Sequence, residues 1–388
     1  MRNGQVDDKP DSERPEARRG GEATTAGRRQ ARIEPGGDRY GGHRVIVPKG
    51  ALPQPAWRLD NDFSRLFEGE ALLAVETLNI DAASFAQMEQ GAAGAGGVGA
   101  APQAHGTDDL AHIVVRTVAE RGKQHNPVTG SGGMLLGRVL QIAPGRADDL
   151  RVGDRVASLV SLSLTPLRID RVVAVRRESA QLDVQGEAVL FATGACAKLP
   201  TDIPERLALA ALDVAGAAPQ VARRVQPGAM VVVLGGGGKS GVLCVAEARR
   251  RGGAGATIIA VEANHVAAEE LGALGLCDAV IVADARDARA VASAVHAAAR
   301  GREADVTFSC VNVADAESAA VLVTRERGAV YFFAMSTSFT QAALGAEGLG
   351  RDVDLFIGNG YAAGHAEHTL AMLRQMPDVR ALFERRYG

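Results

Sequence analysis

Gly236, Gly238 and Gly241 stand in the order G-x-G-x-x-G within LGGGGKSG, directly after the apolar run MVVVL (230–234) and before a helix-compatible stretch. Glycine at such positions allows a tight turn, close approach of backbone to a pyrophosphate, and packing of helix on strand. The N-terminus of the following helix, with Lys239 and Ser240 in its first turn, would offer free N–H groups and a partial positive charge to phosphates. Gly238-Lys239-Ser240 imitates the end of a nucleoside-triphosphate loop. The first glycine of that motif falls on Val233, so the imitation fails, leaving a plain glycine-rich turn as the rival reading. Glu262 closes the second apolar run, about twenty residues past the glycines. A carboxylate there accepts hydrogen bonds from a ribose diol and repels a 2′-phosphate, so NAD is the expected cofactor rather than NADP. Ser336 and Asn359 follow later strand ends, from which a nicotinamide carboxamide would be held.

Hydride chemistry also needs a group that moves a proton. His125, in KQHNP, titrates in a suitable range and sits in a loop before a glycine-rich segment; an ordinary loop histidine is the alternative. Glu347 follows the fifth apolar run, beside the expected nicotinamide, with a solvated helix carboxylate as its bland counterpart. Lys123 is a candidate for binding a carboxylate or simply an exposed lysine. Ser131 and Thr129 are turn formers or donors to a substrate. His365 and Glu367 read as helix-cap residues, Glu76 as a salt-bridge partner, and Arg249 to Arg251 as solvated helix ends.

The elements that position these groups are legible from 230 onward. MVVVL (230–234), TIIAV (257–261), AVIV (279–282), DVTF (305–308), AVYFF (329–333) and VDLFI (353–357) alternate with Ala- and charge-rich stretches such as 264–276 and 287–299. Continuous apolar strands separated by helices predict an α/β fold with a doubly wound parallel Rossmann sheet. Residues 43–210 carry shorter, alternating runs with turn signals such as Pro144-Gly145, which predict an antiparallel β-domain. The expected division is a disordered tail over 1–42, a substrate domain over 43–210 with a flexible Gly/Ala loop at 91–106, a dinucleotide domain over 211–358, and a C-terminal segment over 359–388 whose helix, roughly 365–383, returns to the first domain.

Composition narrows the function classes. The chain has 388 residues, 46% hydrophobic and 23% charged, and a net charge of −3, which gives no electrostatic reason to expect nucleic acid. No apolar run is long enough to span a bilayer, and the first residues lack the apolar core of a secretory signal. Four cysteines without a C-x-x-C pair suggest inert thiols in a reducing cytoplasm. A homodimer is the default assembly.

The order of these domains resembles the medium-chain dehydrogenase/reductase family, in which a GroES-like β-domain precedes the Rossmann domain. Gly132, Gly137, Val139 and LRVGDRVASL are similar to the family's segment around its catalytic zinc ligands. The resemblance implies a zinc-free branch: Gly133-Met134 replaces the expected His-Glu pair, Asn79 stands near the expected Cys, and no metal ligand set survives. It also places Asp81 where the family contacts a substrate hydroxyl, making Asp81 a candidate proton acceptor or ammonium partner, with a turn or cap carboxylate as the alternative.

Longer strings are more specific. HRVIVPKGALPQPA (43–56), LNIDAASF (78–85), KQHNPVTGSGGMLLG (123–137), SLVSLSLTPL (158–167), ADVTFSCVN (304–312), YFFAMSTSFTQAALGAEGLG (331–350) and FIGNGYAAGHAE (356–367) resemble the L-erythro-3,5-diaminohexanoate dehydrogenase family. That resemblance implies NAD-dependent oxidative deamination of a diamino acid in lysine fermentation, with Asp81, His125 and Glu347 as candidate catalytic groups. Two other readings stay open: a zinc-free NADPH-dependent quinone or enoyl reductase, and a non-catalytic NAD-binding sensor.

Overall fold

The computed structural model describes residues 30–81, 84–85, 88–89, 107–126, 130–334 and 336–388. Most of the expected tail, the 91–106 loop and Thr129 lie outside the described residues.

Two short ladders open the chain. β1 (Arg32–Glu34) runs parallel to β4 (Arg65–Phe67), and β2 (Val45–Val47) antiparallel to β3 (Arg58–Leu59). The tail expected over 1–42 therefore gives way to ordered structure before Gly42. Ala31 is buried with Phe63, Leu66 and Phe191, a small apolar contact that few large residues in the local sequence advertised.

An antiparallel sheet follows: β5 (Ala71–Asn79), β6 (Met134–Ile142), β7 (Arg155–Ser158), β8 (Leu167–Arg176), β9 (Gln181–Leu190) and β10 (Cys196–Lys198), in the order β10-β7-β6-β5-β9-β8. The helix Thr107–Arg121 lays Leu110, Val114 and Val118 against it, one residue per turn.

The second sheet is parallel throughout: β11 (Met230–Leu234), β12 (Thr257–Glu262), β13 (Ala279–Val282), β14 (Ala304–Ser309), β15 (Thr324–Phe332) and β16 (Asp354–Ile357), ordered β13-β12-β11-β14-β15-β16. All five residues of β11 are buried, because helices cover both faces of a parallel sheet. Asn264, Asp287 and Ser338 start the helices His265–Ala273, Ala288–Ala298 and Phe339–Leu349 by accepting the backbone N–H three residues on. The strand order reverses between β11 and β14, where open α/β sheets leave a crevice at their carboxyl ends.

The C-terminal segment departs from expectation in two ways. It forms two helices, His365–Gln375 and Pro377–Tyr387, because Met376 precedes a proline and cannot stay helical. They pack on the connecting helices Glu205–Leu212 and Ala217–Ala222 and on the glycine-loop helix Lys239–Gly252. One apolar core consequently holds Met134 and Leu136 of β6, Leu207 and Leu212 of the connector, Val231 and Val233 of β11, and Leu373 and Phe383. Among the described residues no helix is long and apolar enough to cross a membrane.

Candidate active site

A cavity of about 680 Å³ lies where the two sheets meet. One wall comes from the antiparallel domain: Asp81 just after β5, Ser131 and Gly133 before β6, Ser158 at the end of β7, and Ser161 and Ser163 beyond it. The other comes from Ser240 on the glycine-loop helix, Asp213 and Val214 after the connecting helix, and the 358–361 turn after β16. His365 opens the next helix and completes the rim.

Asp81 is divided between two tasks. Its Oδ1 accepts the Ser84 N–H at 2.8 Å, the capping role that short carboxylates fill at a helical turn. Its Oδ2 is buried and, among the described residues, has no hydrogen-bond partner. A buried acceptor without a donor is costly, and in a cleft it is a place for an incoming N–H or O–H.

Asn359 reaches the same cavity. Its Oδ1 accepts from Gln220 Nε2 at 3.3 Å, and Gln220 also donates to the Tyr361 carbonyl at 3.2 Å, tying the turn to the connector. Gly216 has to be glycine there, since a Cβ would come within 2.4 Å of the Gly360 carbonyl oxygen. His365 is buried against the edge of the Tyr361 ring, and burial lowers its pKa, so the imidazole is held neutral. It is no mere helix cap. Asp213, absent from the sequence reading, lines the cleft and binds Lys239 Nζ at 2.7 Å. Its other oxygen meets Asn79 Nδ2 at 3.5 Å, and Asn79 in turn accepts from Gln181 Nε2 at 3.1 Å. The position resembling a zinc ligand thus belongs to a polar chain joining the two domains.

Ser161 Oγ accepts the Gly132 N–H and Ser158 Oγ the Leu135 N–H, so the SLVSLSL string holds the glycine-rich entry to β6.

The glycine loop fits a dinucleotide. Gly235, rather than Gly236, adopts the left-handed turn at φ +70. A Cβ on Gly241 would stand 2.1 Å from the Gly235 carbonyl oxygen, whereas one on Gly238 would find only that oxygen, at 3.6 Å. The first glycine-loop contact is packing; the second faces space that a phosphate can enter. Glu262, half-buried at the end of β12, accepts the Gly237 N–H at 2.9 Å and the Asn264 N–H at 3.0 Å, and borders a second cavity of about 360 Å³ beside the loop. Lys239 spends its charge on Asp213 and leans over the Tyr387 ring, 5.7 Å from its centre.

Other expected residues lie elsewhere. His125 does not line the cavity; burial, with the charges of Arg121 and Lys123, lowers its pKa to about 4, so it is no base near neutrality. Glu347 is exposed on the outer side of its helix and also misses the cavity. Ser336 is half-buried, its hydroxyl directed at the Val311 and Val313 carbonyls at 3.4 and 3.5 Å. Lys123 is fully buried rather than exposed, donating to the Pro53 and Gln54 carbonyls at 2.7 and 3.0 Å; burial brings its pKa down to about 8. It anchors the Gln54 segment at the rim of the cleft. Glu76 does pair with Arg155, at 2.5 Å. Arg250 and Arg251 are not simply solvated, since both pair with the buried Glu247.

Residues 43–200 match the N-terminal domain of L-erythro-3,5-diaminohexanoate dehydrogenase. The L-erythro-3,5-diaminohexanoate dehydrogenase of Acetoanaerobium sticklandii is 47% identical over 353 residues, covering 90% of this chain and 99% of that protein. The protein of the same name from Fusobacterium nucleatum subsp. nucleatum is 45% identical over the same shares. Among solved structures, AibC superposes with a TM-score of 0.50 at 17% identity, over 80% of this chain and 82% of the other. The CurK enoyl reductase does so at 0.50 and 16%, over 82% and 87%. Those two likenesses are of fold.

Proposed function

The chain belongs to the L-erythro-3,5-diaminohexanoate dehydrogenase family, and from that premise we propose that it deaminates L-erythro-3,5-diaminohexanoate oxidatively in lysine fermentation. Diamino acid, water and NAD become 5-amino-3-oxohexanoate, ammonium and NADH, with one net proton released. NAD, when bound, accepts the hydride from C3.

The chain's own residues manage the protons. The C3 amine is mostly an ammonium near neutrality, and Asp81 Oδ2 takes its proton so that the nitrogen lone pair can assist hydride departure. His365, on the rim of the cavity, accepts a proton from the water that then adds at C3. Leu159, Leu212, Val214 and Phe333 keep bulk water from that carbon. Asn359 orients the nicotinamide end, and Ser240 with the helix N-terminus holds the diphosphate. Glu262 receives the ribose diol, the ground for naming NAD rather than NADP.

The single observation behind this reading is the unpartnered carboxylate oxygen of Asp81 in a cavity whose opposite wall begins the glycine-loop helix. The test is NADH absorbance on mixing the protein with NAD and 3,5-diaminohexanoate, with 3-aminobutyrate as a truncated comparison. NADH should form with the diamine and far more slowly with 3-aminobutyrate. A protein that binds NADH yet never reduces NAD with the diamine would remove this substrate.

A further inference from the structure

The smaller cavity beside the glycine loop has a wall that the Rossmann unit does not supply. Arg386, the penultimate residue of Pro377–Tyr387, borders it together with Glu262 and Glu270. Arg386 Nη1 donates to the carbonyl of Gly237, the residue whose N–H donates to Glu262. Two side chains from distant parts of the sequence therefore hold one residue of the loop, Gly237, by the peptide groups on either side of it. The rest of the guanidinium is turned to Glu270: Nε donates to Oε2 at 2.7 Å and Nη2 lies 2.6 Å from the same oxygen, without an aligned hydrogen bond of its own.

The charges decide what this pocket accepts. Arg386 is the single cation among its described lining residues, and two carboxylates face it. Arg385 also points at Glu270, but at 3.9 Å and largely in solvent, where such a pair is worth little. In dinucleotide folds a nearby arginine is what accommodates a ribose 2′-phosphate. Here that arginine stands in place with its charge already spent.

We infer that Glu270 and Arg386 set the choice between NAD and NADP jointly with Glu262: Glu270 masks a guanidinium that would otherwise receive a 2′-phosphate. The inference rests on the dinucleotide reading of the site and deepens it. The excess of one negative charge rejects the 2′-phosphate, and removing the mask turns the same pocket toward it.

The experiment is a calorimetric titration of the full-length chain at low ionic strength with 5′-AMP and with adenosine 2′,5′-bisphosphate, which needs no turnover. Wild type should prefer 5′-AMP. Glu270→Gln should bind the bisphosphate at least tenfold tighter than wild type does, with 5′-AMP within about twofold, and Glu270→Gln combined with Arg386→Gln should lose that gain. Arg386→Gln alone should shift the ratio several-fold further toward 5′-AMP, which tests the idea even where Glu270→Gln fails to fold. A wild type that binds 5′-AMP but a ratio that none of these changes moves overturns the inference while leaving the dinucleotide reading standing. Binding of neither probe, nor of NADH, overturns both.

Discussion

Single residues decide whether this cleft does chemistry, and Asp81 shows how. The family resemblance made it a candidate, yet the capping alternative is also half true, since one oxygen caps and the other is spare. Asp81→Asn keeps the cap acceptor and removes the proton acceptor. Turnover should fall at least tenfold, about 1.4 kcal/mol in barrier, while NADH affinity measured by fluorescence titration stays level; unchanged turnover would take Asp81 off the pathway. His125 illustrates the opposite outcome. Its titration range in free solution suits a base, but burial beside Arg121 and Lys123 lowers it to about 4. Between pH 6.5 and 4 the unfolded chain takes up a proton that the folded chain refuses, so stability drops as pH falls through that window. In His125→Gln the pH dependence of urea unfolding across the window should flatten by as much as one proton. An identical slope would mean that the imidazole is not held neutral. Asp213 and His365 carried almost no sequence signal: one is a lone acid among apolar residues, the other the first residue of a helix. Only their neighbours make them site residues.

At the level of elements, the strand–turn–helix around β11 was readable because its parts answer different demands. Gly241 lies where helix meets strand, and a Cβ there has no room; Gly238 opens on free space. Gly241→Ala should cost on the order of 1–3 kcal/mol of stability, as overpacking against backbone does. Gly238→Ala should leave the melting temperature nearly unchanged yet weaken NADH binding tenfold or more, because it fills the approach of the diphosphate. Thermal unfolding and NADH titration on the two variants separate these effects, and a Gly238→Ala protein that binds normally would deny the loop its role. The glycine pattern did not disclose that Gly235, one residue before it, makes the left-handed turn. Nor did periodicity reveal the break at Met376, where a single proline divides what reads as one amphipathic helix.

Across the whole molecule, the two sheets share one apolar core through the connecting and C-terminal helices. Phe383, almost fully buried in it, belongs to neither sheet, yet Phe383→Ala should cost about 3–5 kcal/mol. Denaturant unfolding should stay a single transition with a lower midpoint; a separate early transition for one sheet would show the core is not shared. The same arrangement brings Arg386 to the loop around Gly237, more than a hundred residues away in sequence. Strand period, glycine placement and the carboxylate after β12 are local facts, because backbone sterics and burial on two faces constrain each short segment wherever it sits. By itself, then, the sequence determined the parallel sheet, the glycine-rich turn that follows its first strand and the family resemblance. Which carboxylate keeps a free oxygen, which histidine stays neutral inside the cleft, and which arginine is silenced by a neighbouring glutamate were decided only by tertiary structure. Desolvation and pairing depend on what approaches from far along the chain, and no spacing within one segment encodes that.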